Sequence, residues 1–263
     1  MFTKVLAITL LVSIQLFSTI VTVFAAEETE SIAINITTND GKIAQLQLVS
    51  DDNPPYAYTN SDGNIVGTLV DKLSAVMKAL DISYQFQILP WKRALSNVQY
   101  KSNTLIFPLS RTPEREDNYS WIIPLHNLKF KIYGLKGTFN EGLIDITKGN
   151  YTFVCAEDTI LCSVLRQLGV PESSIVKFGH IDHTQMIKMV FRQRVNFLLI
   201  SDNGFDYYPN LMNFNKSLLA PLKNYNFEVV EYLAGSNDFD PLLIKKIQAA
   251  FRPFVHHVVG REY

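Results

Sequence analysis

Twice along the chain, strand patterns and helix patterns alternate over a run of five elements. In residues 44–109, polar–apolar alternation in Ala44–Ser50 and Ser83–Ile88 reads as strands. Between them Leu69, Val70, Leu73, Val76, Met77 and Leu80 recur at helical spacing. Pro90 opens a second helix, Trp91–Gln99, where a proline costs no hydrogen bond, and Leu105–Leu109 is a short apolar strand. Residues 151–200 repeat the pattern. Tyr151–Ala156, Ile175–Phe178 and Asn196–Ile200 read as strands, Thr159–Leu168 and His183–Gln193 as helices, with Gly169 ending the first of these. Strands separated by helices require crossover connections, so βαβ units and mostly parallel sheets are predicted. Two such runs predict two small α/β lobes rather than one continuous sheet. Elsewhere, Tyr56–Tyr58, the turn Asn60–Gly63 and Ile65–Val66 predict a short hairpin. Lys129–Gly134 and Phe227–Leu233 are strand-like, and Asp240-Pro241 starts a last helix reaching about Val255.

Composition excludes several functions. A net charge of −1 with no basic block argues against phosphate backbones, so no nucleic-acid partner is predicted. Two cysteines make neither a disulfide-dense scaffold nor a four-cysteine zinc site. The chain has no G-x-S-x-G elbow, no phosphate-binding loop and no dinucleotide fingerprint. His180, Asp182 and His183 cluster and His256-His257 pair; two histidines three apart can bind zinc on a helix with a third ligand, but His180 reads as loop and His183 as a helix entrance where a polar residue serves the cap, so no metal or cofactor is predicted.

Residues 1–25 carry one charge, Lys4, followed by an apolar stretch from Val5 to about Phe24. The pattern is that of a cleaved export signal, with cleavage after Ala25. The competing reading is a membrane anchor, which Ser13, Gln15, Ser18 and Thr19 weaken. Export gives Cys155 and Cys162, seven residues apart, two fates. They close a disulfide, or they remain buried thiols on a strand and in the first turns of a helix, and their Cα separation decides.

Candidate chemistry concentrates in Pro108–Trp121, PLSRTPEREDNYSW. A short strand ends in Ser110, and Thr112-Pro113-Glu114-Arg115 reads as the start of a new helix. Amides at a helix N-terminus attract an anion, and a guanidinium beside them can grip a carboxylate through two parallel hydrogen bonds. The plainer reading pairs Arg111 and Arg115 with Glu114, Glu116 and Asp117 on a solvated surface.

The order and spacing of these residues resemble the family 3 extracellular solute-binding proteins, the polar amino-acid-binding type that serve ABC importers. The resemblance is carried by Asn53-Pro54-Pro55-Tyr56, by Gly63 and Gly67 flanking Ile65-Val66, by Asp71, and by Ser110-x-Thr112-x-x-Arg115 with Trp121. Pro90-Trp91-Lys92-Arg93-Ala94 is similar to a variant of the second helix. Val154–Gly169 and Arg192–Asp202 match a second lobe more loosely. The fold implied is a two-lobed α/β clamshell of the type II periplasmic-binding-protein kind, each lobe a mostly parallel sheet flanked by helices. Residues 26–128 and 226–263 would form lobe 1, and 129–225 an inserted lobe 2 reached by two hinge strands.

By the same resemblance Arg115 would hold a ligand carboxylate, with Ser110 and Thr112 beside it and Thr159 completing the cradle from the opposite lobe. Trp91 and the Asp52–Asn53 loop would wall the side-chain pocket. Where the family places an aspartate for the ligand ammonium, this chain has Ser201, with Asp202 next. If Asp202 does not turn inward, a ligand without an amino group is implied. The family also continues past a glycine like Gly260 into a closing helix, whereas this chain ends at Tyr263. The expectation is therefore a periplasmic, monomeric binding protein and not an enzyme. It would hold a small polar carboxylate such as an amino acid and present it to an ABC permease. A sensor protein as partner, or an exported enzyme resembling the cyclohexadienyl dehydratases, are the alternatives.

Overall fold

The computed structural model describes residues 45–140, 143–179 and 182–257. The export signal expected at residues 1–25, His180 and the chain end around Gly260 lie outside these residues. The strands, in chain order, are β1 (Leu46–Ser50), β2 (Tyr58–Thr59), β3 (Ile65–Val66), β4 (Tyr84–Ile88), β5 (Thr104–Ser110), β6 (Ser120–Leu135), β7 (Phe153–Ala156), β8 (Ile175–Phe178), β9 (Phe197–Ser201) and β10 (Leu219–Gly235). The α-helices are α1 (Thr68–Ala79), α2 (Trp91–Tyr100), α3 (Ile160–Gln167), α4 (His183–Phe191), α5 (Asp202–Leu211) and α6 (Pro241–Phe251).

Eight strands join in one hydrogen-bonded order, β4-β1-β5-β10-β6-β9-β7-β8. The two outer trios are parallel, as βαβ connections require. β6 and β10 run antiparallel to each other and link the trios. At 16 and 17 residues they are each roughly 50 Å long, enough to serve both halves. β10 pairs with β5 through Glu231–Gly235, whereas β6 pairs with β9 through Phe130–Gly134. The expected pair of separate sheets is thus a continuous ladder, because the two long strands keep their backbone groups paired while passing from one half to the other. β2 and β3 form the expected small hairpin.

Local signals explain the helices that carry the cleft. α1 buries Leu69, Val70, Leu73, Val76 and Met77 on one face. Its cap, Gly67, sits at φ +142°, and a Cβ there would lie 2.1 Å from the Tyr56 carbonyl oxygen. Gly67→Ala is therefore expected to destabilise the protein by roughly 2 kcal/mol or more, from backbone strain and the clash together. A lowered urea midpoint would show it, and an unchanged one would mean that the loop before α1 yields freely.

α3 is capped by Thr159, whose hydroxyl accepts from Leu161 N–H, and α4 by Asp182, which accepts from Gln185 N–H. α5 carries Gly204 and Pro209, which conceal its helical pattern. Packing sustains it: Phe205 stacks on Tyr133 with centroids 4.0 Å apart, and Tyr208 is buried. One expected α-helix is a different element. Pro113–Asn118 forms only a six-residue 3₁₀ segment, because the chain must return to strand geometry at Ser120. Arg115 consequently has no long helix behind it.

Candidate functional site

The carboxyl ends of parallel strands from both halves border a shared cleft crossed by β6 and β10, as in other open α/β sheets. The first half contributes Asp51, Asn53 and Tyr56 after β1, Trp91 from α2, Pro108 and Ser110 from β5, and Arg115. Leu128 and Glu231 rise from the two long strands. Thr159, Ile160 and Leu161 at the start of α3, His183 at the start of α4, and Ser201 at the end of β9 face them from the second half. The cavity these residues line measures about 80 Å³ and is partly open to solvent.

It is small because the halves touch. The Asp158 carbonyl accepts from Trp91 Nε1 and from Arg115 Nη2, each at 2.9 Å. Lys92 Nζ lies 3.0 Å from the Asp158 carboxylate, and Asn203 Nδ2 donates to the Tyr56 hydroxyl. Cys155 on β7 and Cys162 on α3 are joined in a disulfide with Cα atoms 5.3 Å apart. That bridge ties the two ends of the loop carrying Asp158 and Thr159.

The two arginines of the candidate segment have different fates. Arg111 follows the plainer reading. It pairs in fork geometry with Glu116 and lies over the Trp121 and Tyr232 rings at 5.5 and 5.4 Å. Arg115 turns inward. Its Nη1 donates to the Ser110 carbonyl at 3.2 Å, and its guanidinium stands 5.9 Å from the Trp91 ring centre. Among the described residues no carboxylate oxygen comes within ion-pair distance of it. Burial pulls its proton affinity below that of an ordinary arginine, with Tyr119 and Glu231 opposing. A half-buried cation with no carboxylate in direct contact among the described residues is the most conspicuous electrostatic feature of the cleft.

Of the residues singled out from the sequence, Asn53, Trp91, Ser110, Arg115, Thr159 and Ser201 line this cavity. Trp91 serves two ends, since it also packs on the small apolar cluster of Val49, Ala94, Val98 and Ile106. Thr112 lies outside, in a flanking cavity of about 510 Å³ that also reaches Arg115. Asp52 faces a second flanking cavity, also about 510 Å³, beside Leu89 and Lys92. Asp202 does not line the cleft: Lys131 Nζ holds its carboxylate at 2.9 Å. The Ser201 hydroxyl accepts from Gly204 N–H.

Two acids that sequence reasoning passed over are present instead. Asp51 is buried, 7% exposed, one residue before the predicted Asp52. Burial pushes its carboxyl up to about 7, and Glu231 and Asp52 add to the effect against its own backbone hydrogen bond. Glu231, 6% exposed, interrupts an otherwise apolar stretch of β10, and that interruption is the sequence signal that could have found it. His183 is kept neutral by burial, which pulls it down to about 4 against the pull of Asp182.

Comparison with known proteins agrees with this architecture. Residues 46–252 match the model of the bacterial extracellular solute-binding proteins, family 3. The chain belongs to that family. Among solved structures, a histidine kinase sensor domain with similarity to periplasmic binding proteins superposes with a TM-score of 0.69 at 14% identity, covering 80% of this chain and 91% of that one. The arginine-, lysine-, histidine-binding protein ArtJ from Geobacillus stearothermophilus gives 0.68 at 20% identity, covering 81% and 90%. The ancestral amino acid-binding protein AncCDT-1, a precursor of cyclohexadienyl dehydratase, gives 0.66 at 15% identity, covering 80% and 88%. At these identities they establish the fold of this solute-binding protein, the two-lobed periplasmic-binding-protein type. No curated protein sequence matches the chain.

Proposed function

We propose that this solute-binding protein works in the periplasm, where it holds a small carboxylate such as an amino acid between its lobes. It would present that ligand to an ABC importer, making and breaking no bond. The observation that carries the reading is Arg115, a cation in the cleft with no acid partner among the described residues, donating to a backbone carbonyl of the opposite lobe. A ligand carboxylate would supply the countercharge that the protein withholds. Ser110 and the α3 N-terminus with Thr159 stand beside it as further donors. The lobes would part about β6 and β10 to take the ligand in and close on it. Binding then shifts the equilibrium toward the closed form that a membrane partner reads.

A second reading is favoured by one observation. Asp51, held near neutral in the cleft, is placed to donate a proton, so catalysis on this scaffold is the alternative. One screen tests both. The exported chain, residues 26–263, is melted against amino acids, dicarboxylates and short peptides, and each ligand is recovered afterwards. An amino acid or related carboxylate at about 100 times its dissociation constant is expected to stabilise by about 2.7 kcal/mol and to return unchanged. A ligand recovered as a new compound would favour the enzyme, and a folded protein that no carboxylate stabilises would end the binding reading.

A further inference from the structure

Trp91, Lys92 and Arg115 reach across the cleft from the first half to two adjacent residues of the second, Glu157 and Asp158. The ion pairs of Lys92 with these acids are exposed to solvent, and surface pairs of that kind add little to closure. The Asp158 carbonyl carries more, since it accepts from Trp91 and from the Arg115 guanidinium, the second a charge-assisted bond. Where that carbonyl points is decided by the backbone of Asp158. It stands at φ +58°, in the left-handed region that is costly for a residue with a Cβ and that aspartate tolerates better than most. At an ordinary φ the same residue would turn its carbonyl away from Trp91 and Arg115. Few ties hold the turn between β7 and α3. The Thr159 hydroxyl donates to the Ala156 carbonyl at 2.7 Å, and Glu157 N–H donates to the Phe178 carbonyl at 2.7 Å. The Cys155–Cys162 disulfide joins the strand before the turn to the helix after it. Both cysteines are buried, Cys162 against the flanking cavity of about 510 Å³ that it lines with Thr112, Arg115 and Asp158.

We propose that the Cys155–Cys162 disulfide is a positioning element for lobe closure. It keeps the turn between β7 and α3 in the shape that aims the Asp158 carbonyl at Trp91 and Arg115, and so latches the empty protein closed. A bridge serving stability alone could join any two neighbouring elements of the second half. This one encloses the residues to which the first half is bonded. Closure thereby responds to the thiol–disulfide balance around the protein. A dithiol opens the bridge by exchange: its thiolate attacks one Sγ, the Cys155–Cys162 bond breaks, and the mixed disulfide closes to the reagent's own disulfide, leaving two cysteine thiols. Two electrons and two protons pass from the dithiol to the protein. Cys162, at the cavity wall, is the sulfur that an entering thiolate meets. Without the bridge the turn relaxes toward an ordinary φ at Asp158, the carbonyl leaves its donors and the lobes part about β6 and β10. On the binding reading above the consequence falls on affinity, because a smaller closed fraction weakens ligand binding by the same factor.

The test reads closure without any ligand, so its failure is distinct from a failure of the binding reading. The chain has two tryptophans, and with Trp121→Phe in place the emission reports Trp91 alone. The exported chain carrying that substitution, residues 26–263, is freed of co-purified solute by dialysis from urea. Trp91 emission, its quenching by acrylamide and the small-angle scattering radius are then compared before and after dithiothreitol. On full reduction, quenching is expected to rise roughly twofold or more and the radius to grow, while the melting transition stays cooperative. Cys155→Ala with Cys162→Val, which fills the buried space without a bond, should match the reduced protein. Two variants with the bridge intact separate aim from mere stapling. Asp158→Gly and Asp158→Val both lose the Lys92 pair, but only the β-branched replacement resists φ +58°. Asp158→Val should therefore open as reduction does, and Asp158→Gly should stay as closed as its parent. Unchanged quenching in the folded, fully reduced chain would overturn the proposal, as would equal closure of the two Asp158 variants. A chain that unfolds on reduction and in the bridge-free variant alike would make the disulfide a structural staple and overturn it too.

Discussion

Arg115→Ala is expected to abolish carboxylate binding while the protein stays folded. Truncating one partner of a hydrogen-bonded charge pair in a desolvated site costs about 2–5 kcal/mol, or a factor of roughly 30 to several thousand in dissociation constant. The upper part of that range is expected here, because the variant would leave the ligand carboxylate buried without a countercharge. Stability should move the other way or scarcely at all. In the empty protein the guanidinium bears a desolvation cost that lowers its proton affinity, and it receives only two carbonyl hydrogen bonds in return. Arg115→Lys is a sharper control. A lysine keeps the charge but loses the planar fork that spans Ser110, Asp158 and a ligand at once, so it should recover only a small part of the affinity. Titration calorimetry with whichever amino acid stabilises the wild type measures both variants. Unchanged affinity in folded Arg115→Ala would place the carboxylate elsewhere in the cleft.

The elements that the sequence displayed best are those whose pattern depends on one buried face. The stripe from Leu69 to Met77 and the alternation in Ala44–Ser50 each mark a side turned to the core, and α1 and β1 lie where those patterns place them. α5 was hidden, since Gly204 and Pro209 argue locally against a helix and only the packing of Phe205 and Tyr208 outweighs them. The same division runs through the site. Arg115, Ser110 and Trp91 could be named because their spacing matches a family pattern. Asp51 could not be separated from Asp52 by any local rule. Both follow β1 where the chain leaves strand geometry, and only the fold turns the first inward and the second to solvent. Glu231 and Asp51 are 180 positions apart in the sequence and meet only because β10 pairs with β5, which pairs with β1. Charge juxtaposition of that kind belongs to topology.

Asp51→Asn is expected to raise stability above neutral pH and to flatten its dependence on pH between about 4 and 7. The sign follows from proton binding. In the folded chain the carboxyl titrates near 7, against an ordinary value of 3.8, so between those limits the folded state holds more protons than the unfolded one. Stability therefore falls as pH rises through the window and is level above it. At about 1.4 kcal/mol per pH unit the full loss is of order 4 kcal/mol. The groups that set it are the burial itself, then Glu231 and Asp52, and Asp51 in turn helps to push the Tyr208 hydroxyl upward from α5.

His183 acts in the opposite direction. Pulled down to about 4, it makes the folded state gain stability between about 4 and 6.5, and so masks part of the fall in the wild type. Carboxylates held low, such as Glu172 near 2, have already ionised by then. The informative quantity is consequently the difference between wild type and Asp51→Asn in urea midpoint at pH 5 and at pH 8. It should be clearly smaller at the first than at the second, in favour of the variant. Equal differences at both would show that Asp51 ionises freely in the folded chain.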